Sequence, residues 1–507
     1  MLNIIFAFCI TFLISLLLRH LRATESLPPA APRHIPFLGN ILSVDGKKLH
    51  KQFSKWGKKL GPIFRLDANN GVNQIVVTSY DLVKQVLQTD GQSFALRPGI
   101  TSIHWKIDDT PNHYGLIDAT GDRWNELRHC SGTFFQKLLA SKDWQIRFDR
   151  QLIKMTNWID DNINPKSGTT TMDPEKPFQF LVGNVFSSAF MDEEYELGDK
   201  DLEDLLKQLR VVQKMAHSEG LTLAQNFPLL QLCPGDPFMC RKYQSKNEQL
   251  MNNFLSVVEQ KEKNWDQSTV NCLIEAGLKK AKEAGATARQ EFFTKQQLVG
   301  LIADMWIAGF DPTISTLRWS LLFLVKRPDL QKTIYETEIK NCKDELLLFD
   351  SDAQQTNFPN LVAFLNETMR FGSAVDRTPF HMADEETEIG GYTIPPNTSI
   401  LPMIYGVHWD EDNFSDPELF KPERFLDEAG KQLKPVEQLI PFGLGPRACV
   451  GAEFAKTVLL LILARLIRKY EFSVDPDRPE PSLEHERAFT LTPASFRVIV
   501  TERGHKV

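Results

Sequence analysis

The decapeptide Phe442-Gly443-Leu444-Gly445-Pro446-Arg447-Ala448-Cys449-Val450-Gly451 constrains this chain more than any other stretch. It sets one cysteine among glycines, places an arginine two residues ahead of it, and runs into an apolar helical pattern. A thiolate stays ionised inside a protein only beside positive charge or hydrogen-bond donors. Glycine-permitted turns can aim backbone N–H groups at a sulfur, and the N-terminus of the following helix adds a favourable dipole. Those are the conditions under which a cysteine binds iron as an anion. The plain alternative is a buried free cysteine in a Gly-rich turn, since free Cys is among the most buried residue types.

The rest of the chain reads as an intracellular enzyme. Its 507 residues are 42% hydrophobic and 24% charged, ordinary for a globular protein. Length alone suggests roughly three domains of ~150 residues, yet no Gly/Ser-rich linker or charge block divides residues 40 to 500. A net charge of −7 argues against nucleic acid as a partner. The cysteines (Cys9, Cys130, Cys233, Cys240, Cys272, Cys342, Cys449) are odd in number and scattered, so no disulfide framework or paired zinc site is expected.

Residues 1–18 are almost wholly apolar, and Arg19, His20 and Arg22 follow at once. Eighteen helical residues span about 27 Å, near the thickness of a thin bilayer core. This segment is expected to be a retained single-pass anchor, with the positive charge behind it keeping the remainder cytosolic. A cleaved signal peptide fits less well, because no basic residue precedes the apolar run and the cleavage pattern is poor. Residues 19–40 then combine a basic stop-transfer signal with a Pro-rich, extended hinge. Residues 41–507 are expected to form one catalytic domain.

Periodicity predicts a mainly α (α+β) domain: one large helical body with a small β-rich region. A hairpin is expected near 61 to 79, turning at Asn69-Asn70-Gly71. Helices are expected over 81–88, 121–139, 200–216, 240–263 and 359–371, and after Cys449 through Tyr470. The longest starts at a capping box, Thr294-x-x-Gln297, and runs towards Pro328. No internal repeat is present.

The cysteine loop resembles the haem-binding signature of the cytochrome P-450 superfamily, matching Phe442, Gly443, Gly445, Arg447, Cys449 and Gly451 at every fixed position. The likeness extends over about residues 28 to 500. It includes Phe94-Ala95-Leu96-Arg97-Pro98 and points to the microsomal animal branch that handles steroids, lipids and foreign compounds. The resemblance implies a fold that buries haem b between two long helices, with Cys449 as the axial iron ligand and Arg447 partnering a haem propionate. By the same likeness Trp124-x-x-x-Arg128, which shares one helix face, serves a propionate, as does His381. It also implies that Glu367, Arg370 and the Arg424 of Pro422-Glu423-Arg424-Phe425 form a buried charge network bracing the loop to Cys449.

Ala308-Gly309-Phe310-Asp311-Pro312-Thr313 resembles the family's oxygen-activation segment, with Ala308 and Gly309 leaving room for haem and oxygen. Asp311 supplies an acid, but Pro312 stands where the proton-relaying threonine usually does. Proline removes the N–H that would bond the Ala308 carbonyl, so a kink or bulge is expected there. In one reading Thr313, a water or the substrate completes proton delivery. The resemblance then implies that oxygen from O2 is inserted into a lipophilic small molecule, such as a steroid, fatty acid or xenobiotic. Electrons come from NADPH–cytochrome P-450 reductase, with cytochrome b5 as a further donor, at the endoplasmic reticulum membrane. In a second reading the chain rearranges an oxygenated lipid without a reductase, and in a third it is a haem-binding sensor or carrier. Phe310 is open between core packing and substrate wall. By resemblance the pocket is expected to draw on Ile100–Leu116 (with Trp105, Ile107, Asp108 and Asp109), on Ala374–Phe380 (with Val375, Asp376 and Arg377) and on Phe489. Arg123 and Lys137 are the expected docking contacts for an acidic reductase.

Overall fold

The computed structural model describes residues 27–32, 39–40, 43–67, 73–98, 114–216, 218–226, 228–285, 288–342 and 355–504. Residues 1–26, which hold the expected anchor, and the stretch 99–113, which holds Trp105, Ile107, Asp108 and Asp109, lie outside the described residues. So does the expected turn at 69–71.

Helices dominate. Those of a dozen residues or more are α1 (Leu49–Leu60), α2 (Gly121–Ala140), α3 (Lys142–Asp161), α4 (Glu175–Met191), α5 (Lys200–Ala216), α6 (Cys240–Asn264), α7 (Leu273–Ala284), α8 (Lys295–Lys326), α9 (Pro359–Gly372) and α10 (Ala452–Lys469). Sequence periodicity finds none of α1, α3, α4 and α7. The case of α4 is plain: every residue from Phe180 to Met191 is buried, so no apolar stripe stands out from a polar one.

The core is built around α8. Thr294 is its N-cap, its hydroxyl accepting from the Gln297 N–H at 3.3 Å as the capping box predicts. The helix packs against α4, α6, α9 and α10. By length and composition it could cross a membrane, but most of it is buried among its own neighbours, which makes it a core helix.

The small sheets lie beside this body. The predicted hairpin forms from β1 (Ile63–Asp67) and β2 (Asn73–Val77), antiparallel, with Phe64 opposite Val76. Numbering then continues through β3 (Thr169–Met172), β4 (His381–Met382), β5 (Ser399–Pro402), β6 (Tyr470–Val474), β7 (His485–Arg487), β8 (Leu491–Pro493) and β9 (Val498–Glu502). The main sheet has the order β1-β2-β5-β4, with β2 and β5 parallel; β3-β9-β6 and β7-β8 form two of the smaller ones, and a short unnumbered hairpin of Thr387–Ile389 with Tyr392–Ile394 forms the third. Part of the Pro-rich stretch joins the sheet. Ala31 N–H donates to the Arg65 carbonyl at 2.8 Å, and Arg65 N–H donates to the Pro29 carbonyl at 2.9 Å.

Candidate functional site

The cysteine loop is shaped by two glycines in the left-handed region, Gly443 at φ +69° and Gly445 at φ +67°. Gly445 is required twice over, because a Cβ there would lie 1.9 Å from the Leu87 carbonyl oxygen. The loop closes through Cys449 N–H donating to the Phe442 carbonyl at 2.9 Å. Cys449 is accessible at its surface yet enclosed by protein, so its sulfur fronts an internal cavity rather than bulk solvent. Burial pushes the thiol up; the Gly451 N–H and the cations Arg128 and Lys456 pull it down. Burial prevails while nothing else binds the sulfur.

Beside the loop lies a cluster of cations. Arg447 rests 4.1 Å above the Trp124 ring and donates to the carbonyls of Ala95 (2.8 Å) and Ala119 (2.7 Å). Arg128, one turn on from Trp124 in α2, donates to the Ala448 carbonyl at 2.8 Å. A third member, Arg97, donates to the carbonyls of Ile117 (3.1 Å) and Phe380 (2.6 Å). Burial holds Arg97 down to about 10 and Arg447 to about 9; Arg447 also feels the like charges of Arg97 and Arg128, and Asp118 opposes both shifts.

His381, on β4, donates its Nδ1–H to the Phe94 carbonyl at 2.9 Å, a tautomer assigned from that partner. Burial, then Arg97, drives its pKa well below the ordinary value. The ring is therefore neutral and Nε2 bears no proton unless an anion sits beside it. Three arginines against one aspartate form a donor set suited to a dianion, and an accessible sulfur lies at the loop between them. A haem, with two carboxylates and an iron, fits these residues.

The charge network is present as expected. Arg370 grips Glu367 through Nε (2.7 Å) and Nη2 (2.8 Å), both side chains fully buried, and Arg424 Nε reaches Glu367 at 3.3 Å. Arg370 also donates to the His408 carbonyl at 3.0 Å. The His408 ring then accepts from the Ile440 N–H at 3.0 Å, two residues before Phe442. Sequence reasoning missed this last link because nothing along the chain joins residue 408 to residue 440.

On α8, Ala308 is the single exposed residue between Gln297 and Val325. Gly309 has a packing role in addition to the one expected of it. A Cβ there would lie 2.6 Å from Phe186 Cε2, so the missing side chain lets α4 approach α8. Phe310 is buried against Trp306, with ring centroids 5.8 Å apart, which settles it as core. The α-helix is continuous through Pro312, with no π-turn at that point. Thr313 donates its hydroxyl to the Gly309 carbonyl at 2.7 Å, turning it into the helix. Burial raises Asp311 to about 6, against the pull of Arg210 and with the push of Glu175.

Of the expected pocket, Leu116 is pinned to α8 together with the next residue, Ile117, their N–H groups donating to Asp304 at 2.6 and 2.8 Å. Asp376 is no polar handle, because it is buried and bound by Arg377 and Arg487. Of the expected docking cations, Lys137 is exposed and Arg123 half-buried.

A mainly helical body that turns a cysteine towards a cavity beside an arginine cluster defines a candidate haem-thiolate protein. The description "Cytochrome P-450" fits residues 29–500, and the chain belongs to that family of monooxygenase oxidoreductases, which bind haem iron. Rabbit (Oryctolagus cuniculus) cytochrome P-450 2J1 is 27% identical over 486 residues, covering 95% of this chain and 93% of that protein. A Caenorhabditis elegans 3-ketosteroid oxygenase is 27% identical over 488 residues, 94% of this chain and 81% of that protein. Human cytochrome P-450 2J2 is 27% identical over 481 residues, covering 94% and 91%.

Proposed function

We propose that this protein inserts one oxygen atom from O2 into a lipophilic small molecule, with electrons from an NADPH-dependent flavoprotein reductase. We further propose that residues 1–18 anchor it in the endoplasmic reticulum membrane with the catalytic domain in the cytosol. The observation that carries the reading is the accessible Cys449 beside the Arg97–Arg128–Arg447 cluster, with Arg128 bonded to the residue before it. When bound, haem supplies oxygen activation and thiolate-assisted O–O cleavage. Cys449 would hold the iron, with Gly451 N–H donating to its sulfur. Arg97, Arg128, Arg447 and His381 would hold the propionates, and Trp124 would back Arg447.

Ala308 leaves space above, and Asp311, titrating near neutrality, would carry protons towards it. Pro312 cannot donate to the Ala308 carbonyl, so that acceptor is open to a water or to substrate. The second reading, reductase-independent rearrangement of a lipid peroxide, is favoured by one contact: the Thr313 hydroxyl is already committed to Gly309.

Two measurements decide. The reduced, CO-treated holoprotein should show the red-shifted Soret band of thiolate ligation, and its absence from folded, haem-loaded material would sink the assignment of Cys449. Reconstitution with reductase across a lipophilic panel should then give NADPH use matched to hydroxylated product. Turnover of a hydroperoxide with no electron donor, and no hydroxylation, would install the second reading. In the same assay Pro312→Thr should raise the yield of product per NADPH if proton delivery is limiting.

A further inference from the structure

A separate cavity opens where the last turn of α10 meets α3. It encloses about 510 Å³, within the roughly 300–1,000 Å³ usual for small-molecule sites. Four cations line it, Arg465, Arg468, Lys469 and Arg503, against a single carboxylate, Asp149. Arg468 lies near the far end of α10, about 24 Å along the helix from the end that follows Cys449. The walls are held together from behind. The Tyr470 hydroxyl stands 2.9 Å from the Thr156 carbonyl and 2.7 Å from the Asp160 carboxylate, which also pairs with Lys469.

Helix capping accounts for only part of this charge. Cations at a helix C-terminus complement its dipole, and Arg503, just beyond β9, takes that role. Its Nε donates to the carbonyls of Ile467 and Tyr470 at 2.9 and 3.0 Å. Arg465 lies a turn earlier. With Arg468 and Lys469 it makes like-charge pairs three and four residues apart, which repel on a helix surface. Asp149 reaches Arg465 only at 3.5 Å, and Asp160 and Glu471 draw Lys469 and Arg503 from outside the lining. This concentration of positive charge stands on a chain whose net charge is −7. Arginine forks match phosphate oxygens bidentately, so three of them around one cavity suit a phosphate. At the mouth Ile153 is 56% exposed, and Ile146, two turns earlier on the same face of α3, is 59% exposed.

We propose that this cavity binds a phosphomonoester, whose phosphate meets Arg465, Arg468 and Arg503 and whose apolar body covers Ile153. The site is separate from the haem centre and does not depend on the monooxygenase reading. The test is calorimetric titration of full-length holoprotein in phosphatidylcholine nanodiscs with 1-naphthyl phosphate, inorganic phosphate and 1-naphthol. Naphthyl phosphate should bind with a Kd below about 1 mM and at least about fivefold tighter than inorganic phosphate. The double variant Arg465→Gln, Arg468→Gln keeps the Arg503 cap and the Lys469–Asp160 pair. It should weaken naphthyl phosphate roughly 10- to 100-fold. Ile153→Ser should weaken it about 3- to 10-fold and leave inorganic phosphate within about twofold. Binding of 1-naphthol, which reports the haem pocket, should respond to neither change.

Wild-type protein that shows no saturable binding of naphthyl phosphate overturns the proposal, whether or not the variants fold. So does a folded double variant that binds the probe as tightly as the wild type. So does 1-naphthol binding as tightly as its phosphate. Phosphatidic acid built into the nanodisc separates the two sources of such a group. If it displaces the probe, the phosphate recognised is a lipid headgroup; if it does not, the ligand is a soluble phosphate ester. Either result upholds phosphate recognition at this cavity. A missing thiolate CO band would remove the monooxygenase reading and leave this site standing.

Discussion

Glu367 and Arg370 show what a buried charge does when it is fully paired. Their contact is bidentate, neither side chain is exposed, and beside Arg424 the Lys421 N–H adds a fourth donor to Glu367 at 2.8 Å. Glu367→Gln would strand the Arg370 guanidinium, and removing one partner of a buried pair costs about 3–5 kcal/mol. Chemical denaturation should show a loss of that size, with reduced haem retention because the strap to Ile440 and Phe442 loosens. Asp311 is the opposite case, a carboxyl held without a close counter-charge. Its folded value is about 6 against 3.8 unfolded, so the folded state binds the extra proton between those values. Stability should therefore fall as pH rises from about 4 to about 6, by at most about 3 kcal/mol. Asp311→Asn should flatten that part of the stability–pH curve, and an unchanged curve would contradict the burial of the acid.

Among the elements, α8 and α4 decide how the centre is packed. Gly309 gives α4 its approach, with Phe186 filling the space a side chain would need. Gly309→Ala should overpack that contact at a cost of about 1–3 kcal/mol. The double variant with Phe186→Leu should recover part of it, and simple additivity of the two losses would show that the two sites are not coupled. The start of α8 rests on Thr294, and Thr294→Ala should cost about 1 kcal/mol, read from the same melts. Such a modest effect separates a capping role from the larger consequences of disturbing the middle of the helix.

At the scale of the whole molecule, the cation cluster makes the fold dependent on its cofactor. Arg97, Arg128 and Arg447 lie close enough for Arg447 to feel both of the others, and a bound dianion would relieve that repulsion. Apoprotein should melt below holoprotein, and added haemin should restore the difference, about 2.7 kcal/mol at a hundredfold excess over Kd. The N-terminal boundary is also testable. Pro28, Pro29 and Ala31 bond to Arg65, so a chain shortened through residue 32 should be less stable than one shortened through residue 26. The loss should be on the order of 1–3 kcal/mol for the hydrogen bonds removed.

Local chemistry is legible along the chain: the Gly-turned cysteine loop, the Thr294 cap, the Glu367–Arg370 spacing and the β1–β2 hairpin. Each is set by residues within a turn or two of one another, where backbone geometry fixes who meets whom. The tertiary structure alone decided that Arg97 joins the cluster, that Gly309 serves α4, that Phe310 belongs to the core, and that His408 holds Ile440. It also turned Asp376 inward, between Arg377 and Arg487. Those outcomes depend on contacts between residues tens to hundreds of positions apart, and spacing along a chain carries no record of which distant surfaces will close on each other.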